Sequence, residues 1–124
     1  MSLRASSPDR GVIVAERVEV AASLWARFLG LMGRRSLPDG DALWLPGSNG
    51  IHMLFMRFPI DALFLGRPEP DGARRVLAAR HDLPAWRGVV WYVHRANGTL
   101  ELPTGTIERS GVAVGDRILL EPGD

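Results

Sequence analysis

The chain has 124 residues, a formal net charge of +1 and no cysteine. One-domain length follows; disulfide scaffolds, zinc ribbons and thiol catalysis are excluded, and so balanced a charge does not mark a nucleic-acid binder. Hydrophobic residues at 46% and charged residues at 23% are globular values rather than those of a disordered chain. All cationic residues other than histidine are Arg, which removes Schiff-base chemistry and a P-loop lysine.

Residues 1–10 hold no long apolar run, so neither a signal peptide nor a membrane span is expected. The chain as it stands reads as cytoplasmic, or as exported if a native leader has been removed. Residues 1–10 are taken as a disordered or extended segment, and residues 11–122 as a single β-rich domain.

In Gly11 to Ala21, Val12, Ile13 and Val14 open a strand, and Val18 and Val20 alternate with Arg17 and Glu19. Ser23 offers a helix cap. Leu24, Phe28 and Leu31 then follow at helical spacing, and Gly33 ends the helix. Pro38-Asp39-Gly40 turns the chain and Ala42 to Leu45 forms a short strand. Ile51 to Met56 is nearly all apolar and predicts a strand covered on both faces. Pro59 breaks it, and Asp61 to Leu65 resumes. Gly66 to Gly72 is an exposed hairpin loop and Arg74 to Arg80 its return strand. His81 to Gly88 is a loop. Val89 to His94 is β-branched and aromatic, and Asn97-Gly98 predicts a hairpin from it into Thr99 to Leu102. Thr106 would cap a single helical turn ending at Gly111. Arg117 to Glu121 is the last strand. The fold class is therefore mainly β: a small β-sandwich or partly open barrel of short, mostly antiparallel strands, with one short α-helix near residues 23–33.

Polar groups that interrupt apolar segments are the candidates for chemistry. Asp61 sits between Pro59-Ile60 and Ala62-Leu63, where an ionised carboxylate is costly unless partnered. It either ties the proline turn, through backbone N–H groups or Arg57, or points into a pocket. Arg57 is a solvated corner charge or a two-pronged anchor for an anion. Arg34, with Arg35, follows the expected helix, where its charge suits the helix dipole. His52 is a core or edge residue or a ligand contact. With Met53 and Met56 it suggests soft copper binding, but strand alternation puts Met53 on the opposite face, so no metal is expected. Glu101 is a surface charge beside Leu100 and Leu102 or lines a cleft with Thr104. Asp61 or Glu101 with His52 could perform acid–base work. Trp86 is a core lid or a binding platform. Gly30, Gly33, Gly105, Gly111 and Gly115 form no dinucleotide fingerprint, so no cofactor is expected.

Three blocks occur in one order. They are Phe28-Leu29-Gly30-Leu31-Met32-Gly33-Arg34, then Ile51-His52-Met53-Leu54-Phe55-Met56-Arg57-Phe58-Pro59-Ile60-Asp61, then Leu100-Glu101-Leu102-Pro103-Thr104-Gly105-Thr106 followed by Gly115-Asp116. Together they resemble the bacterial and archaeal family called domain of unknown function 192, over roughly residues 12 to 121. The resemblance implies a small β-rich, sandwich-like domain with a helix, and no assigned activity. Many relatives carry an export signal and a Trp-Met-Lys-Asn-Thr type stretch. Here Phe55-Met56-Arg57-Phe58 keeps the Met and the basic position without the polar pair.

The leading functional expectation is a binding domain in which Arg34, His52, Arg57, Asp61, Trp86 and Glu101 recognise an anionic small molecule or peptide. The alternatives are a protein-interaction domain pairing through a sheet edge and a hydrolase using Asp61 or Glu101 with His52. Nucleic acid and membrane are not expected partners, and the sequence leaves oligomeric state open.

Overall fold

The computed structural model describes residues 3–23, 36–54 and 56–123. The helix expected near residues 23–33 lies outside this set apart from Ser23, as does Arg34. Among the described residues, nine strands follow in chain order: β1 (Leu3–Ser7), β2 (Val12–Val20), β3 (Asp41–Pro46), β4 (Ile51–His52), β5 (Ile60–Pro68), β6 (Arg74–Leu83), β7 (Val89–Val90), β8 (Gly98–Leu102) and β9 (Arg117–Pro122). A short helix, α1 (Thr106–Ser110), lies between the last two. Seven strands close into a barrel in the order β1-β2-β3-β8-β5-β6-β9, while β4 and β7 form a separate two-stranded sheet. Of the two architectures the sequence allowed, the chain forms the barrel rather than the sandwich, and the barrel is closed. Among the described residues, β2 and β3 pair in parallel and the other pairings are antiparallel. The segment before residue 11 supplies β1, which pairs with both β2 and β9 and completes the ring.

Strand alternation sorts the apolar residues into two cores. Ala42 and Trp44, Leu63 and Leu65, and Leu100 and Leu102 belong to the first, with Val18, Val76 and Ile118 from other strands. Ile107 of α1 joins this group, so the helix packs against the barrel's apolar filling. Leu43 and Leu45, Ala62 and Phe64 belong to the second core, on the other face of the same wall. Ile51, Met53, Met56 and Phe58 pack there as a covering layer. Strands β3, β5 and β8 are thus buried on both faces, which explains their near-continuous apolar runs. Each fully buried Leu or Phe contributes about 1.5–3 kcal/mol.

Three sequence expectations are corrected here. The Ile51–Met56 run is a strand for only two residues. The Met56 N–H then donates to the Met53 carbonyl across a turn at 3.0 Å, because an apolar run specifies burial and not conformation. The expected strand Val89–His94 is likewise only Val89–Val90, paired with β4. No hairpin joins it to β8, which pairs with β3 and β5 instead. Finally, the N-cap of α1 is Gly105 in the left-handed region, with no side-chain cap bond, rather than Thr106. The expected end at Gly111 holds: its N–H reaches the carbonyls of Ile107 and Glu108.

Candidate functional site

The registers of β5 and β8 place the two candidate carboxylates. Asp61 stands opposite Leu102 and Ala62 opposite Glu101. Directly opposed residues share a face, so Asp61 faces the Leu102 side and Glu101 the Ala62 side. The two carboxylates lie on opposite faces of the barrel wall and do not form an acid–base pair. Asp61 is 0% exposed. Its Oδ1 accepts the Asp82 N–H at 3.0 Å and its Oδ2 accepts the Ile107 N–H at 3.1 Å. Asp82 holds a left-handed backbone (φ 50°) at the end of β6, and Ile107 lies in the first turn of α1. Asp61 therefore ties two chain segments to one barrel end and satisfies a first-turn N–H group that no helical carbonyl can reach. No ion pair joins it to Arg57, which is exposed at the bend before Pro59.

Glu101 is 1% exposed and lies beside Leu43 and Ala62, beneath the second layer. Above that wall, two loops are joined through their backbones. Ile51 pairs with Val90 and His52 with Val89. The Met53 N–H donates to the Gly88 carbonyl at 2.8 Å, and the Trp86 N–H to the Met53 carbonyl at 2.9 Å. The Val93 N–H donates to the Asn49 carbonyl at 2.7 Å. The approach is too close for a side chain at Gly50: a Cβ there would lie 2.5 Å from the Trp91 carbonyl oxygen and 2.6 Å from that of Val90. His52 and Trp86 are thereby brought onto one unit. His52 is half-buried. Trp86 adopts φ 67°, a conformation uncommon for a non-glycine residue, and is exposed.

The same unit carries residues that sequence reasoning left out. Leu54, Val89, Trp91 and Tyr92 are exposed, as Trp86 is, with Trp91 at 84%. Five of the eight exposed large hydrophobic residues among those described fall on residues 51–60 and 84–97. Arg57 and Arg87 are exposed on the same two stretches. His94 is exposed and its Nδ1 lies 3.2 Å from the Tyr92 hydroxyl. Neither stretch contains Asp or Glu, although the chain has 14. That acid-free pairing of aromatic and basic residues was the available sequence signal. Among the described residues, no group of three or more His, Asp or Glu side chains is arranged to hold a metal ion. None of the described helices is long and apolar enough to cross a membrane.

A closed seven-stranded barrel with an added two-stranded unit defines the class, and the comparisons assign the family. Residues 6–120 match the model of DUF192, described as Uncharacterized ACR, COG1430. The chain belongs to that family. Two solved structures share the fold at a TM-score of 0.74 each. One is from Sinorhizobium meliloti 1021, described as a candidate transcription regulator; it is 23% identical, with 95% of this chain and 91% of that one covered. The other is a protein of unknown function from Novosphingobium aromaticivorans DSM 12444, 21% identical, with 95% and 83% covered. At these identities the likeness concerns the fold alone. No curated protein matches the chain.

Proposed function

We propose that this protein is a binding module that captures an acidic stretch of polypeptide on the face formed by residues 51–60 and 84–97. The observation that carries the reading is the exposure of Trp86, Trp91 and Tyr92, with Arg57 and Arg87, on two acid-free stretches that backbone hydrogen bonds join. Trp, Tyr and Arg are the residues that dominate binding energy at protein interfaces. Trp and Tyr supply large contact area at a low cost in side-chain freedom. Backbone hydrogen bonds between the two loops hold these residues on one unit.

The other readings find less to rest on. Asp61 is committed to two backbone N–H groups, which argues against its use with His52 as the acid–base group of a hydrolase. The barrel is closed, and β4 and β7 have two residues each, too short to template an added strand.

The test is a fluorescence titration of the intrinsic tryptophans with short Glu-rich peptides and matched Gln-rich controls. The Glu-rich peptides should bind, more weakly at high salt, and the Gln-rich ones should not. Trp91→Ala and Arg87→Glu should each weaken binding about tenfold or more. Equal binding of both peptide sets, or unchanged binding by both variants, would overturn the reading.

A further inference from the structure

Strands β5 and β6 and the turn at Arg95 border an open surface cleft of about 490 Å³, lined by Gly66, Arg67, Arg75, Leu77 and Arg95. Its shape follows from a break in strand pairing. Phe64 stands opposite Ala78, but Leu65 stands opposite Val76, so Leu77 is an extra residue on β6. Such bulges re-aim side chains, and here Leu77 leaves the regular alternation to line the cleft. The opposite wall is clamped in place. The Asn97 N–H donates to the Leu65 carbonyl at 2.7 Å. Arg74 Nη1 donates to both the Gly66 carbonyl and Asn97 Oδ1 at 3.0 Å. Two residues before Asn97, Arg95 adopts φ 67°, a conformation uncommon for a non-glycine residue.

The three arginines are not equivalent. Arg75 is committed: its Nε and Nη2 donate to Glu69 and its Nη1 to the Gly115 carbonyl at 2.8 Å. Glu69 is itself shared with Arg117 at 3.8 Å. The side chains of Arg67 and Arg95 have no hydrogen bond or ion pair to any described residue. Arg67 and Arg95 thus line one cleft with no carboxylate of their own, and like charges so gathered repel unless an anion joins them.

We propose that this cleft binds a small organic phosphate, with the phosphoryl oxygens on Arg67 and Arg95 and the apolar body on Leu77. A carboxylate satisfies one guanidinium fork, whereas a phosphoryl dianion has oxygens enough for two. The cleft is also far larger than inorganic phosphate and lies in the size range of small-molecule sites. Leu77, Gly66 and the arginine stems give the remainder of such a molecule an apolar surface.

The experiment is a backbone-amide NMR titration with phenyl phosphate, repeated with inorganic phosphate. Phenyl phosphate should give saturable shifts at Gly66, Arg67, Leu77 and Arg95, leaving Trp86, Trp91 and Tyr92 unmoved. Inorganic phosphate should bind the same residues at least about tenfold more weakly. Arg67→Gln/Arg95→Gln should weaken phenyl phosphate binding by a similar factor while the melting temperature stays within a degree or so, since both side chains are exposed. Leu77→Ala should weaken phenyl phosphate but not inorganic phosphate. The proposal is overturned if phenyl phosphate gives no saturable shift, if the shifts map elsewhere, if the two anions bind equally, or if the double variant binds as the wild type does. Arg67→Gln alone provides the same reading should the double variant fold poorly.

Discussion

The barrel wall and the unit added to it use the same kinds of residue in opposite ways. In the wall, Leu63, Phe64, Leu65, Leu100 and Leu102 are fully buried, and consecutive residues serve two cores on the two faces. In the added unit, Ile51, Met53 and Met56 are buried against the wall, while Leu54, Trp86, Trp91 and Tyr92 stay in water. The wall is held by continuous strand pairing. The unit is held by one strand pair of two residues a side and a few loop hydrogen bonds. Elements with few buried contacts and few ladder bonds open at lower free energy than a core. The barrel is therefore the support, and the unit is the part with surface to spare for a partner.

The sharpest break in this comparison is at Asp61, a carboxylate built into the support by two backbone N–H bonds. Asp61→Asn removes the charge from both bonds and sets an amide NH2 against one donor. Hydrogen bonds to charged groups contribute about 1.5–3 kcal/mol, so the variant should lose about 2 kcal/mol in urea unfolding. A change below about 0.5 kcal/mol would mean the carboxylate is not what joins β6 and α1 to the barrel end.

A substitution at Gly50 should separate the two regions. Its added Cβ would meet the Trp91 and Val90 carbonyls, so the loops must part. Gly50→Ala should cost about 1–2 kcal/mol, within the usual range for overpacking. Hydrogen exchange should quicken at Met53, Trp86 and Val93, whose N–H groups bridge the loops, while β5 and β8 keep their protection. Equal loosening in both regions would show that the unit and the barrel are one cooperative body.

How much of this was legible in the sequence follows the same division. Strands β2, β3, β5, β6, β8 and β9 were readable within a few residues, because alternation and apolar runs bounded by turns are local signals. The face of Glu101, opposite to Leu100 and Leu102, was readable too. That this face is covered was not, since the cover comes from residues 51–58, distant in sequence. The Asn97-Gly98 pair misled for a specific reason. Gly98 is small because the Trp44 ring lies against it, with a Cβ there falling 2.1 Å from the ring. The Asn97 N–H meanwhile bonds the Leu65 carbonyl rather than closing a hairpin. A glycine selected for close packing looks the same in sequence as one selected for a turn. Among the candidate site residues, Asp61 was legible as an acceptor of backbone N–H groups, but the expected tie was to the proline turn or Arg57. Its partners, Asp82 and Ile107, depend on tertiary pairing that spacing does not encode.

A smaller effect is expected at the turns around the start of β9. Asp9 and Asp71 both bond Arg117, and Asp116 bonds Arg10. The Arg117 side chain holds the Asp9 carboxyl below its ordinary value of 3.8. The Ala73 N–H and then Arg117 do the same for Asp71, and Arg10 for Asp116. A carboxyl lowered by folding adds stability that is fully present above its unfolded pKa and lost as pH falls through the folded one. The urea midpoint should therefore be flat near neutrality and fall below about pH 4. These pairs are exposed, so salt should reduce the effect. Arg117→Gln should flatten this acid limb, and an unchanged limb would show that the pairs do not contribute to it.

The smallest effect on stability, and the most informative for function, belongs to Trp91. At 84% exposure its ring has little to lose on unfolding, so Trp91→Ala should shift stability by less than about 0.5 kcal/mol. The same substitution is expected to weaken acidic-peptide binding about tenfold. A residue that matters to a partner and not to the fold is what distinguishes the added unit from the wall beneath it. If Trp91→Ala instead destabilises the protein by more than about 1 kcal/mol, the ring belongs to the fold. The unit would then be a second layer of core rather than a surface held out for a ligand.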